Sequence, residues 1–149
     1  TTLNLERDTI LTSDGQDGSG TGVYAQRFSA AGTATGTELQ LNETVNGAQE
    51  SGQLALNPDG SFLAAYASAN VDSGGLAVVV RLFDTTGTPT TNEAQVNVYA
   101  TGDQMAPSLA RASDGTFVLV WQSPDQDGSG WGIFGQRLAA DGSVLGVSP

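Results

Sequence analysis

Residues 16–28 read Gln-Asp-Gly-Ser-Gly-Thr-Gly-Val-Tyr-Ala-Gln-Arg-Phe, a glycine-rich acidic loop that leads into a segment of alternating character. The pattern returns without a gap at residues 126–138 as Gln-Asp-Gly-Ser-Gly-Trp-Gly-Ile-Phe-Gly-Gln-Arg-Leu. When residues 13–36 are aligned with 123–146 in this register, 12 of 24 positions are identical. The alternation after each loop predicts a β-strand. A loop followed by a strand is therefore duplicated.

A shorter period appears between the two copies. Residues 38–42 (Glu-Leu-Gln-Leu-Asn) match residues 93–97, and residues 59–63 match residues 114–118, both at an offset of 55. The same spacing separates three loop aspartates, Asp17, Asp72 and Asp127. Self-similarity at a fixed period of this size predicts a solenoid or a propeller.

Four short strands are predicted in each repeat of about 55 residues. In the middle repeat they occupy residues 53–56, 62–66, 76–83 and 93–97. The first two are joined by Asn57-Pro58-Asp59-Gly60, where Pro fixes φ and Gly permits φ > 0. The apolar runs 62–66 and 117–121 lack alternation, which predicts strands covered on both faces and places Tyr66 and Trp121 in the core.

These patterns predict an all-β fold in which each repeat is a four-stranded antiparallel meander and the repeats form β-propeller-like blades. A threefold β-trefoil or β-prism is the alternative, because three four-stranded units fit this length. We expect one all-β repeat domain over residues 1–149, with a partial repeat at 1–52, a full repeat at 53–107 and a partial repeat at 108–149. Fewer than three whole units predict self-association or additional blades from a parent protein, because propellers have about four to eight blades.

The composition limits the classes of partner. The net charge is −11, with 16 acidic residues, five Arg and neither Lys nor His. This acidity argues against nucleic acid and against anionic membranes as partners. No apolar run approaches the roughly 18 residues of a membrane span, so membrane insertion is not expected. With no Cys, a disulfide framework is excluded.

The repeat resembles those of large secreted or surface-attached bacterial proteins. The residues that carry the resemblance are Val120-Trp121-Gln122-Ser123, the loop and strand at 126–138, and Gln95-Val96-Asn97. The resemblance implies β-propeller-like blades in adhesin-type or calcium-associated proteins, and an extracellular or cell-surface location.

The acidic loops are the candidate metal sites. Asp125 and Asp127 alternate ahead of Gly128, as in the opening of a calcium loop, and calcium prefers six to eight oxygen ligands. The first loop offers Asp14 and Asp17, and the middle loop keeps only one carboxylate. That carboxylate is Asp72. Calcium is therefore the candidate cofactor; the alternative is that each aspartate caps its own turn through its side chain.

A candidate ligand-binding set lies on the last repeated strand. Trp131, next to an acidic and hydroxyl-rich loop, could stack on a sugar ring, or it could pack between neighbouring sheets. Gln136 and Arg137 follow on the same strand, and the alternative for Arg137 is a bidentate pair with a loop aspartate.

Catalysis finds little support in the sequence, because no recognisable nucleophile and base pair is present. Paired carboxylates can hydrolyse glycosides, but the aspartates here are repeated turn residues, which favours a structural role. We therefore expect a non-catalytic binding, adhesion or structural module of an exported bacterial protein, with a cell-surface glycan or protein as its partner. A carbohydrate-binding lectin is the alternative. A further alternative is a part of a larger propeller whose activity lies elsewhere.

Overall fold

The computed structural model describes residues 7–14, by their backbone, and residues 16–146. These residues form three antiparallel sheets. Sheet 1 contains β1 (Arg7–Asp14), β2 (Thr21–Phe28) and β3 (Ala34–Gln40). Sheet 2 contains β4 (Gln49–Leu56), β5 (Phe62–Ala69), β6 (Leu76–Phe83) and β7 (Ala94–Gln95). Sheet 3 contains β8 (Met105–Arg111), β9 (Phe117–Pro124), β10 (Trp131–Leu138) and β11 (Val144–Leu145).

The strands follow the period of the sequence. Strands β1, β5 and β9 begin at Arg7, Phe62 and Phe117, so their starts keep the spacing of the sequence repeat. In every sheet, neighbouring strands are consecutive in the chain and pair antiparallel. The predicted all-β fold of antiparallel meanders is confirmed, with four strands in sheets 2 and 3 and three described strands in sheet 1. Within the described part of the chain there is no helix, and hence none long and apolar enough to cross a membrane.

Short turns with the predicted chemistry end the strands. Between β4 and β5, Gly60 adopts a φ of 92°, and its N–H donates to the carbonyl of Asn57 at 3.0 Å. The carboxylate of Asp59 accepts hydrogen bonds from the backbone N–H and the hydroxyl of Ser61, at 2.9 and 2.7 Å. The turn between β8 and β9 repeats this arrangement with Asp114 and Thr116. These bonds favour the ionised carboxylates and hold the pKa of Asp59 and of Asp114 below the usual range.

The three sheets pack in series, face to face. Sheet 1 covers one face of sheet 2, and sheet 3 covers the other. The first interface joins Val23, Ala25 and Leu41 to Phe62, Ala64, Tyr66, Val79 and Phe83. The second joins Leu63, Ala65, Val78 and Val80 to Phe117, Leu119, Trp121 and Leu138. A serial arrangement is propeller-like, whereas in a threefold fold each sheet would contact both of the others.

Burial separates the middle sheet from the last one. All but the last residue of β5 are buried, as its apolar run predicts. Strand β9 instead alternates, with Phe117 and Trp121 buried but Val118 and Val120 exposed at 40% and 36%. The prediction that residues 117–121 are covered on both faces is therefore wrong within the described chain, because no sheet follows sheet 3 there.

Candidate functional site

The first acidic loop uses its aspartate as a structural connector. The carboxylate of Asp17 accepts a bond from the backbone N–H of Ser19 at 3.2 Å and another from the Asn42 side-chain amide at 2.9 Å. A Cβ placed at Gly22 would lie 2.8 Å from this carboxylate, so a side chain at the start of β2 would displace it. Asp17 therefore joins the loop to the end of sheet 1. The side chain of Asp14, the other predicted ligand here, lies outside the described residues.

The other two loops use aspartate in similar ways. Asp72 accepts a bond from the backbone N–H of Gly74 at 2.9 Å and one from the Gln95 side-chain amide at 3.0 Å. In the third loop, the N–H of Gly130 donates to Asp125 at 2.8 Å. The backbone N–H of Ser129 donates to Asp127 at 3.4 Å.

The geometry of the third loop supplies few ligands for calcium. Asp125 and Asp127 offer two carboxylates, and one oxygen of each already accepts a backbone N–H in the same loop. Calcium prefers six to eight oxygens. Nowhere in residues 7–14 and 16–146 do three or more His, Cys, Asp or Glu side chains form a group suited to holding a metal ion. The donors described thus fall short of a complete calcium shell.

A repeated pair of buried amides connects consecutive sheets. The Asn42 side chain accepts a bond from the N–H of Val23 at 3.0 Å and donates to Gln49 at 3.2 Å, at the start of sheet 2. At the next junction, Asn97 accepts from the N–H of Val78 at 2.8 Å and donates to Gln104 at 2.9 Å. Both glutamines are fully buried. Their own side-chain N–H groups donate to linker carbonyls, namely those of Asn46, Gly47, Thr101 and Gly102. The period of the repeat was the signal that could have located these pairs in the sequence.

A half-buried carboxylate lies at the junction of sheets 1 and 2. Glu93 accepts bonds from the Tyr66 hydroxyl at 2.7 Å, from the Thr44 hydroxyl at 2.6 Å, and from the backbone N–H groups of Glu43 and Thr44. Burial alone would raise the pKa of Glu93, but the hydrogen bonds outweigh it and the pKa is lowered. The pKa of Tyr66 is raised, mainly by burial and then by the charge of Glu93. The charged Glu93 therefore links the segment that follows sheet 1 to Tyr66 of sheet 2.

Gln136, one of the predicted ligand residues, is buried and has a structural role. Its side-chain N–H groups donate to the carbonyls of Arg137 and Leu145 at 3.1 and 2.8 Å, which attaches the edge strand β11. Gln26 does the same in sheet 1, where it bonds to the carbonyl of Thr35 at 3.1 Å beside a register shift. Gln136 faces sheet 2, so the structure does not bring it together with Trp131 and Arg137.

Trp131 and Arg137 instead lie on the outer face of sheet 3. Trp131 is 58% exposed and Ile133, two residues later on the same face, is 69% exposed. Arg137 lies 3.6 Å from the carboxylate of Asp114, in the turn before β9, so its partner is a turn aspartate rather than one of the acidic-loop aspartates. This outer face of sheet 3 consists of Val118, Val120, Gln122, Trp131, Ile133, Gly135 and Arg137.

Arg27, at the position equivalent to Arg137, lies at the interface between sheets 1 and 2. Its guanidinium donates to the carbonyl of Gly60 at 2.9 Å and lies 5.4 Å from the centre of the Phe62 ring. It also donates to the carbonyl of Thr85. All three partners belong to sheet 2 or its turns. Arg27 therefore crosses the sheet interface.

Comparison with known proteins adds evidence on the fold. No protein-family model matches the chain, and no curated protein matches its sequence. Among solved structures, the chain is similar to the endo-arabinase from Bacteroides thetaiotaomicron VPI-5482, with a TM-score of 0.58 and 12% sequence identity. The match covers 99% of this chain and 55% of the enzyme chain, so this chain spans little more than half of that structure. The enzyme is an all-β protein of the propeller type, and the likeness agrees with β-propeller-like sheets.

Proposed function

We propose that this chain is a non-catalytic adhesion or structural module of an exported bacterial protein. The observation that carries the proposal is how the repeated polar residues are used. Asp17 and Asp72 fasten their loops to the ends of sheets 1 and 2, while Asn42 and Asn97 fasten each sheet to the next. Polar side chains that are hydrogen-bonded to the backbone and to neighbouring sheets make the fold rigid, as a structural or adhesion module requires. The acidity and the resemblance to surface repeats support the exported location.

Arabinan is the substrate with which to test this proposal, because the similar solved structure is an endo-arabinase. We expect no release of reducing sugar when the chain is incubated with arabinan. Release of sugar would contradict a non-catalytic role, provided that a substitution of a single carboxylate abolished it. A glycan array and a pull-down from bacterial and host cell surfaces would then identify the adhesion partner.

A lectin is the second candidate function, and the exposure of Trp131 favours it. An indole that is 58% exposed beside a loop of hydroxyl and carboxylate groups has the arrangement that stacks on a sugar ring. The test is a glycan array on the wild type and on Trp131→Ala. Loss of glycan binding in Trp131→Ala supports the lectin; equal binding by both proteins counts against it. Val98→Ala, at another exposed apolar position, is the matched control.

Calcium stays a prediction of the sequence, with Asp125 and Asp127 as its ligands. The short donor set described above agrees only with weak binding, in the range of about 0.1–1 mM that is typical of extracellular modules. We therefore expect a higher melting temperature in millimolar calcium than in chelator, and no such difference in Asp127→Asn. Identical melting curves for the wild type in calcium and in chelator would exclude calcium stabilisation.

A further inference from the structure

Two glutamates form a reciprocal contact between the segment that follows sheet 1 and the segment that leads into β7. The backbone N–H of Glu43 donates to the Glu93 carboxylate at 2.7 Å, and the backbone N–H of Glu93 donates to the Glu43 carboxylate at 2.9 Å. We call this pair the glutamate clasp. Each carboxylate therefore holds the backbone of the other segment, although the two residues lie 50 positions apart in the chain.

Side chains of sheet 2 extend the glutamate clasp towards sheet 1. Arg81, on β6, lies 3.6 Å from the Glu43 carboxylate and donates to the carbonyl of Leu41 at 3.1 Å. The hydroxyl of Tyr66, on β5, bonds to Glu93 at 2.7 Å and to the carbonyl of Leu41 at 3.3 Å. Leu41 directly follows β3 and is buried in the core between sheets 1 and 2. The clasp and its two neighbours therefore hold the end of sheet 1 against sheet 2.

Acid weakens the glutamate clasp, because hydrogen bonds to a charged acceptor are stronger than those to a neutral one. Burial raises the pKa of Glu93, but the hydrogen bonds from Thr44 and Tyr66 outweigh burial, so folding lowers this pKa. The contribution of Glu93 is therefore complete above the unfolded pKa of about 4.3 and is lost as pH falls through the folded pKa. A protonated Glu43 also loses its attraction to Arg81, and arginine and tyrosine side chains do not titrate in acid.

The junction between sheets 2 and 3 has different residues at the equivalent positions. The residues 55 positions later are Val98 for Glu43, Trp121 for Tyr66 and Gln136 for Arg81. The counterpart of Glu93 is position 148, a serine outside the described residues. Within the described part of the chain, the buried indole N–H of Trp121 has no hydrogen-bond acceptor, whereas the Tyr66 hydroxyl has Glu93. The linker here does carry Asp103, but its carboxylate accepts the N–H of Leu76 at 2.9 Å and so bonds to sheet 2 rather than across to sheet 3.

The other carboxylates with lowered pKa values are shared evenly between sheets 2 and 3. Each accepts hydrogen bonds from the serine or threonine two residues later, and these bonds lower its pKa; they are Asp59 and Asp84 in sheet 2 and Asp114 and Asp141 in sheet 3. The loop aspartates Asp17 and Asp72 are also equivalent, bonding to Asn42 and Gln95 at the ends of sheets 1 and 2. The glutamate clasp is therefore the acid-sensitive contact that distinguishes the two junctions.

We propose that the glutamate clasp is an acid-sensitive switch: as pH falls, the junction between sheets 1 and 2 opens while the junction between sheets 2 and 3 stays closed. Parts of a folded chain open locally at a lower free energy than the whole, and the part that loses its contacts first opens first. The switch does not depend on the proposed function, because it follows from contacts within the fold.

Amide hydrogen exchange followed by NMR tests the switch at two matched N–H groups. The N–H of Leu41 donates to the carbonyl of Val23, and 55 positions later the N–H of Val96 donates to the carbonyl of Val78, both at 2.9 Å. Protection factors remove the intrinsic effect of pH on exchange. Between about pH 5.5 and about pH 2.5, we expect the protection of Leu41 to fall about tenfold more than that of Val96. Equal falls at the two amides would overturn the proposal, because they would show that the sheets open together.

Three variants assign the effect to the glutamate clasp. Glu93→Gln and Glu43→Gln should lower the protection of Leu41 already at about pH 5.5 and remove its extra loss in acid. Glu50→Gln, which removes one carboxylate from the neighbouring strand β4, should retain that extra loss. A Glu93→Gln protein that also retains it would show that the clasp is not the switch.

The wild type alone decides the matter if the clasp variants fail to fold. The amide signals of Glu43 and Thr44, which donate to Glu93, should then shift together with the titration of the Glu93 carboxyl group. Amide signals that do not follow this titration would overturn the proposal.

Discussion

Truncation of Asn97 is the sharpest test of how the sheets are held together. Its side chain is 4% exposed, accepts a bond from the backbone N–H of Val78 and donates to Gln104. Asn97→Ala leaves that N–H and the glutamine oxygen without this partner in a buried site. Each such group costs about 1–3 kcal/mol. We therefore expect the free energy of unfolding to fall by about 3 kcal/mol, a large share of the roughly 5–15 kcal/mol that stabilises a domain.

Equilibrium unfolding in urea, followed by the emission of the buried Trp121, measures this loss. Asn92→Ala is the matched control, because Asn92 is exposed and lies in the same stretch of chain. In a double-mutant cycle, Gln104→Ala should cost less in the Asn97→Ala background than in the wild type, because the pair is already broken. An Asn97→Ala protein as stable as Asn92→Ala, or strictly additive losses, would refute the connector role.

Three further results are expected. Glu93→Gln should lower the free energy of unfolding at pH 7 by about 2 kcal/mol, because the half-buried carboxylate loses the charge that strengthens its hydrogen bonds. Folding lowers the pKa of Glu93, so its carboxylate stabilises the fold above the unfolded pKa of about 4.3, and this stabilisation is lost as pH falls through the folded pKa. The urea midpoint should therefore fall less with acidification in Glu93→Gln than in the wild type. Gly74→Ala should destabilise the chain by about 3 kcal/mol in urea, because its Cβ would collide with the backbone carbonyl of Ala100, whereas Ser73→Ala should be near neutral. Gln136→Ala should release the edge strand β11 and speed amide hydrogen exchange there, with Gln122→Ala, on the exposed face, as the control.

Much of the fold follows from the sequence because repetition and turn chemistry act locally. The period of the repeat fixes the number of units, and the Asn57-Pro58-Asp59-Gly60 turn fixes where two strands meet. The burial of β9 could not be predicted in this way. Its apolar run resembles that of β5, yet exposure depends on whether another sheet follows, and this information lies outside the strand.

The candidate site was less predictable because an aspartate in a turn gives the same sequence pattern whether its carboxylate binds a metal ion or accepts a bond from a backbone N–H. Asp17 and Asp72 bond to amide side chains more than twenty residues away, and only the folded chain shows this pairing. The hydrogen bond between Tyr66 and Glu93 could not be predicted either, because neither residue belongs to a recognisable motif and the two lie 27 positions apart in the chain.

The amide pairs between sheets also govern where the chain tolerates a change of length. Gln49 lies seven positions after Asn42, and Gln104 lies seven positions after Asn97. Adding one residue between the partners would displace a buried amide from its acceptor and rotate the following strand out of register. The turn at residues 29–33 is instead closed by backbone bonds within the turn, and a Cβ at Gly32 would meet nothing within 4 Å, so this turn is the place for a fused peptide tag. The linkers between the amide partners therefore fix how consecutive sheets are spaced, whereas the turn at residues 29–33 can change in length.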